Sequence, residues 1–96
     1  MAKAYWIATY QAVHDESKLT AYANLAGPAI AAAGGKFLAR GIPAHVYEDG
    51  LKERTVLIEF ESIDKAVACH ESDDYQAALK ALDGGVAREL RLIEGA

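Results

Sequence analysis

Two hydrophobic periods alternate along the chain. From Ala4 to Ala12, residues Tyr5, Trp6, Ile7, Thr9 and Tyr10 are of the types that suit a pleated surface, which predicts a first strand. Its faces read Tyr5, Ile7, Thr9, Gln11 and Trp6, Ala8, Tyr10, Ala12, and neither is plainly polar. Leu19, Tyr22, Ala23, Ala26, Ile30 and Ala33 then recur at helical spacing. That helix has Asp15 or Ser17 as N-cap and stops at Gly34-Gly35. Pro28 removes an amide donor inside it, so a kink or a restart is expected there. Lys36 to Arg40 reads as a second strand that resumes at Ala44 to Glu48, followed by an Asp49-Gly50 turn. Arg54 to Phe60 alternates most cleanly, with Val56, Ile58 and Phe60 on one side and Thr55, Leu57 and Glu59 on the other. Ser62 caps a helix with Ile63, Ala66 and Val67 inward. Ser72 caps a second helical stretch with Asp73 and Asp74 in its first turn and Tyr75, Ala78, Leu79 and Leu82 on one face. Gly84-Gly85 ends it, and Glu89 to Glu94 closes the chain as a short strand.

The order is β-α-β-β-α-β, an α+β, ferredoxin-like pattern in a single domain over residues 1–96. It implies a four-stranded antiparallel sheet, strands one and three central, with both helices on one face. Leu38 and Leu57 alternate with helix-facing Phe37, Ala39, Val56 and Ile58, so the other face is also apolar. An uncovered apolar sheet requires a partner. The simplest is a second copy, giving a homodimer in which two sheets close into a dimeric α+β barrel. Which face of strand one lines that barrel is left open by the pattern.

Composition adds limits. Hydrophobic residues make up 52% of the chain, but 20 residues are alanine, so the core is light and oligomerisation is a natural remedy. The single cysteine, Cys69, excludes an internal disulfide framework. A net charge of -4 argues against a nucleic-acid partner, which would need clustered Lys and Arg. No run reaches the ~20 apolar residues of a membrane span, and no secretory h-region is visible. A cytoplasmic protein with a reduced Cys69, no membrane and no nucleic acid is therefore expected.

Few residues can carry chemistry. Counting by twos places Arg40 with Leu38 and Glu59 with Leu57, away from the helices, so both would point into the barrel. Arg40 could hold a planar anion and Glu59 could act as a base. Equally, the two could form a structural ion pair. Trp6 could line a ligand cavity or simply pack in the core. Tyr75, just after the Ser72 cap, lies where backbone amides could meet an anion, or packs as its helix's first apolar residue. His45 is an acid-base candidate at a cavity mouth. His14, His45 and His70 lack metal-ligand spacing, and the glycine pairs fit no phosphate or dinucleotide cradle, so neither metal nor cofactor is expected.

The run Gly34-Gly35-Lys36-Phe37-Leu38-Ala39-Arg40-Gly41 resembles a signature of domain of unknown function family 1330. Leu57-Ile58-Glu59-Phe60-Glu61-Ser62, Ser72-Asp73-Asp74-Tyr75-Gln76, Tyr5-Trp6-Ile7-Ala8 and Ile93-Glu94-Gly95 are similar to its other segments, in order and at matching spacing. Ile42-Pro43, Asp73 and Asp83 depart from the family pattern. The resemblance implies the dimeric α/β-barrel superfamily and no established activity; transferring a relative's chemistry would be fold-level analogy. The residues leave two functions open. One is a dimer that binds or transforms a small anionic or carbonyl-bearing molecule without a cofactor. The other is a non-catalytic accessory or structural dimer with no ligand.

Overall fold

The computed structural model describes residues 2–96. Strands β1 (Ala4–Val13), β2 (Lys36–Gly41), β3 (Thr55–Phe60) and β4 (Val86–Glu94) form one sheet in the order β2-β3-β1-β4. Every neighbouring pair is antiparallel. The helices are α1 (Glu16–Ala32), α2 (Ile63–Glu71) and α3 (Asp73–Leu82). They cover one face, as the order predicts, and leave the other open.

Strand parity decides what each face carries. In β1, Ala4, Trp6, Ala8 and Tyr10 are buried under the helices, while Tyr5, Ile7 and Thr9 lie on the open face. Val56, Ile58 and Phe60 continue the covered face in β3. The core is aromatic at its centre. Trp6 stacks on Phe60 at 5.9 Å between centroids and meets the edge of Tyr75 at 4.9 Å. Such pairs add specificity beyond the burial of large rings. Ala26, Ala29, Ala66 and Ala78 are also buried, and these small side chains let the helices approach the sheet.

Helix ends follow the capping residues. Asp15 accepts from the amides of Ser17 and Lys18, and Ser62 and Ser72 each accept from the third residue of their helices. The Lys18 amide, helped by the Ser17 hydroxyl, holds the Asp15 carboxyl below its ordinary value. α1 runs through Pro28 without the expected restart. Gly27 explains this in part, because a residue before proline is disfavoured in helix chiefly by its Cβ, and glycine has none. The chain leaves α1 through Gly34, at φ 87°, and then Gly35, where an added Cβ would sit 2.5 Å from Ile30 and 2.9 Å from Phe60. That contact seats the start of β2 against the core.

Four local expectations need correction. β2 does not resume at residues 44–48: β3 begins at Thr55, already paired with Gly41, so that segment has no strand opposite it. The connection instead contains a turn closed by the Gly50 amide on the Tyr47 carbonyl at 3.0 Å. Val67 is exposed, and the buried positions of α2 are Ala66 and Cys69. β4 starts at Val86 rather than Glu89, because β1 continues to Val13 past a register shift between Tyr10 and Ala12. Last, the β2–β3 register shifts between Phe37 and Ala39. This bulge puts Ala39 opposite Leu57 on the open face and Arg40 opposite Val56 on the covered one, reversing the parity expected for both. No helix is long and apolar enough to cross a membrane among the described residues.

Candidate functional site

A cleft of about 50 Å³ lies between the covered face of the sheet and α1. That is room for a few water-sized groups. Its walls are aromatic and aliphatic: Trp6, Tyr10, Tyr22, Phe37, Ile30 and Val56. Gly27 contributes open space, since nothing lies within 4 Å of where its Cβ would be. Into this apolar setting the sheet sends three guanidinium groups, Arg40 from the bulged end of β2, Arg54 just before β3 and Arg88 from β4.

None of the three forms an ion pair with a carboxylate among the described residues. Their neighbours are π-faces and phenols. Arg40 lies 4.7 Å from the Phe37 ring centre and Arg54 5.8 Å from that of Tyr10. Arg88 lies 5.5 Å from the Tyr10 ring centre and 4.7 Å from that of Tyr22. Cation–π contact softens the burial of a charge but does not neutralise it. The Arg54 Nε is buried and has no acceptor.

Arg88 is the most elaborately held. Its Nη1 donates to the Tyr10 hydroxyl at 3.1 Å and the Tyr22 hydroxyl at 3.3 Å, and its Nη2 to the Tyr75 hydroxyl at 3.2 Å. The Tyr22 and Tyr75 hydroxyls are 2.7 Å apart. Burial alone would lower the Arg88 pKa; the tyrosine oxygens, Tyr22 foremost, outweigh it and hold the group above its ordinary value. Burial, and then the neighbouring Tyr22, push the Tyr75 phenol above its own. At neutral pH Arg88 is therefore a fixed cation beside a protonated Tyr75.

The structure sorts the sequence candidates. Arg40 and Trp6 share the cleft. Arg40 reaches it on the helix side, not through a barrel interior as parity suggested, because of the β2 bulge. Tyr75 is fully buried behind the cleft with its hydroxyl on Tyr22 and Arg88, and its own amide is occupied by the Ser72 cap. Glu59 is on the opposite face of the sheet, paired with Lys3 at 3.4 Å, so the expected Arg40–Glu59 pair does not form. His45 lines a second hollow of about 410 Å³, with Thr9, Pro43, Asp49, Thr55 and Glu89, beneath the β2–β3 connection. Neither Glu59 nor His45 touches the arginine cleft. Among the described residues no His, Cys, Asp and Glu cluster could hold a metal ion.

Arg54 and Arg88 escaped sequence reasoning. Arg54 has the parity of Val56, Ile58 and Phe60, which already marked it as a charge on a covered face. Arg88 has the parity of Leu90 and Leu92, and placing the strand start at Glu89 hid it. The three tyrosines that converge on it come from β1, α1 and α3, a meeting only tertiary structure supplies.

Fold and cleft together define a ferredoxin-like α+β protein with a cationic, aromatic-walled site under its first helix. The chain belongs to the family described as Domain of unknown function (DUF1330), whose model matches residues 3–96. No curated protein matches it in sequence. In structure it is similar to the RPA0582 protein of unknown function from Rhodopseudomonas palustris, at 16% identity and TM-score 0.77, over 99% of this chain and 83% of that one. It is also similar to SnoaB, a cofactor-independent oxygenase from Streptomyces nogalater, at 11% identity and TM-score 0.67, over 100% and 95% of the two chains. A third likeness is a dimeric ferredoxin-like protein of unknown function from Thermobifida fusca YX, at 20% identity and TM-score 0.61, over 98% and 92%. At these identities the likenesses establish the fold and nothing finer.

Proposed function

We propose that the protein is a homodimeric binding protein for a small organic anion, held in the cleft between the sheet and α1. The observation that carries this reading is the set of three guanidinium groups, Arg40, Arg54 and Arg88, lining one aromatic cleft with no carboxylate partner among the described residues. Arg40 is exposed at the cleft mouth while Arg54 and Arg88 are half-buried, so the inner two charges are partly desolvated without a counter-charge, and a chain of net charge -4 has acidic groups to spare. That it places none here is explained by an anion that arrives from outside. Arg40 orients the anion at the mouth, Arg54 meets it deeper, Arg88 holds the phenols behind it, and Trp6, Tyr10 and Phe37 keep water out. Among the described residues no carboxylate or imidazole lines the cleft, which favours recognition over proton abstraction.

The second copy covers the open face. Ile7 pairs there with Leu57, and Tyr5 with Ile93, giving an apolar centre between the more polar Glu59, Arg91 and Glu89. A dimeric protein of this fold from Thermobifida fusca supports the arrangement. The protein would work in the cytoplasm, where its one cysteine, buried Cys69, stays reduced.

Trp6 is the chain's only tryptophan and it lines the cleft, so its fluorescence reports occupancy directly. Titration with small carboxylates should change that emission saturably, and Arg54→Gln should weaken the response. A flat titration across acetate, pyruvate, oxalate and benzoate would end the reading. Sedimentation at micromolar concentration should give a dimer, and a monomer there would remove the partner.

A further inference from the structure

The hydrogen-bond pattern behind the cleft says more about the anion than its charge. Tyr75 is fully buried, and its hydroxyl touches only Tyr22 and Arg88 among the described residues. Arg88 can only donate to it, so the one acceptor for the Tyr75 proton is the Tyr22 oxygen at 2.7 Å. That fixes the direction of the pair: Tyr75 donates and Tyr22 accepts. The Tyr22 oxygen then takes two hydrogen bonds, from Tyr75 and from Arg88 at 3.3 Å, and its own O–H is left over. The Tyr10 oxygen likewise accepts from Arg88 at 3.1 Å and keeps its own O–H. Tyr10 and Tyr22 both line the cleft. Two phenolic donors, each polarised by a cation at its oxygen, are thus uncommitted in a site that already holds two further arginines. Accepting a hydrogen bond from a cation makes an O–H a stronger donor.

We propose that the ligand is a 2-oxo acid or its enol form: a carboxylate gripped by Arg40 and Arg54, with the adjacent carbonyl or enolate oxygen accepting from the Tyr10 and Tyr22 hydroxyls. The proposal rests on the anion-binding reading and narrows it. A plain carboxylate would satisfy the arginines and leave the two hydroxyls idle. A neutral ketone would do the reverse. Only a ligand with both groups a bond apart uses the whole lining, and the small size of the cleft suits a short carbon skeleton. Arg88 is then a positioning residue that reaches the ligand oxygen through the two phenols, much as preorganised donors are backed in an oxyanion site.

The experiment compares short acids on the wild-type protein, pyruvate and propionate sharing a three-carbon skeleton, and repeats the comparison on Tyr10→Phe and Tyr22→Phe, using Trp6 fluorescence and calorimetry. Pyruvate and oxalate, a planar mimic of an enolised 2-oxo acid, should bind at least about tenfold more tightly than propionate, which has the carboxylate and no neighbouring oxygen. Each phenylalanine variant should shrink that preference while leaving propionate affinity within about twofold. If propionate and pyruvate bind alike to the wild type, the proposal is overturned while the anion reading stands. If neither pyruvate, oxalate nor propionate binds, both fall. The wild-type series decides the matter even where a variant does not fold.

Discussion

Arg88→Met separates a ligand-binding role for the cluster from a structural one. The guanidinium makes three hydrogen bonds to phenols, at 3.1, 3.3 and 3.2 Å. At about 1–1.5 kcal/mol net for each, their loss costs about 3–5 kcal/mol. Two terms oppose it. Removing a half-buried cation with no counter-charge recovers a desolvation penalty of several kcal/mol. It also ends like-charge repulsion from Arg54, since the two guanidinium groups lie 5.8 and 5.5 Å from the same Tyr10 ring centre. Methionine refills the volume with flexible apolar atoms, and the Tyr22–Tyr75 hydrogen bond survives the change. The opposing terms are comparable. Urea unfolding followed by far-UV circular dichroism should therefore place the variant within about 1.5 kcal/mol of wild type, while pyruvate binding falls about tenfold because the phenols lose the cation that positions them. A loss above about 4 kcal/mol with binding intact would show Arg88 to be a strut and the cleft's charge to be incidental.

Pro28→Ala restores an amide donor to the middle of α1 on an exposed position, and should stabilise the protein by about 1–3 kcal/mol in the same urea assay; a destabilised variant would mean the proline is needed to shape the cleft. Ile7→Lys puts a charge at the centre of the open face and should turn the dimer into a monomer on sedimentation, with Trp6 emission unchanged; a persisting dimer would move the interface elsewhere. Burial holds the Tyr75 phenol above its ordinary value of 10, so its stabilising effect is complete below that value and is lost as pH rises beyond it, where only the unfolded chain ionises. Stability should fall above about pH 10 and the Tyr75 contribution to absorbance at 295 nm should appear only with unfolding; its appearance in the folded protein would contradict the burial.

Most of the fold was legible because short-range physics wrote it twice. β3 shows its faces in alternate residues, α3 in both its Ser72 cap and its apolar spacing, and the two agree with the structure. What failed were statements that depended on counting through an irregularity. Parity is conserved along a strand only while the ladder is regular, and one extra residue at Leu38 inverted it for Arg40. The site suffered more than the fold for the same reason. Trp6 and Arg40 could be singled out from residue type alone, but Arg40 was given a carboxylate, Glu59, that belongs to the other side of the sheet. Arg88 and its three phenols have no local signature, since each tyrosine reads as an ordinary core residue in its own element.

The bulge also bears on why the open face and the cleft play different parts. Without it, Arg40 would stand opposite Thr55 on the open face, the surface proposed for a second copy, and would burden that contact with a charge. With it, the same residue joins Arg54 and Arg88 beneath α1, while small Ala39 takes the place facing Leu57. One inserted residue thus clears an interface and completes a cationic site. Among the described residues the cluster has no compensating acid, so folding carries the cost of partly desolvating Arg54 and Arg88. Selection for stability alone would have no reason to keep all three, since an exchange such as Arg88→Met is close to neutral. Their shared position, walled by rings and backed by phenols, is therefore best explained by an external group that completes the circuit.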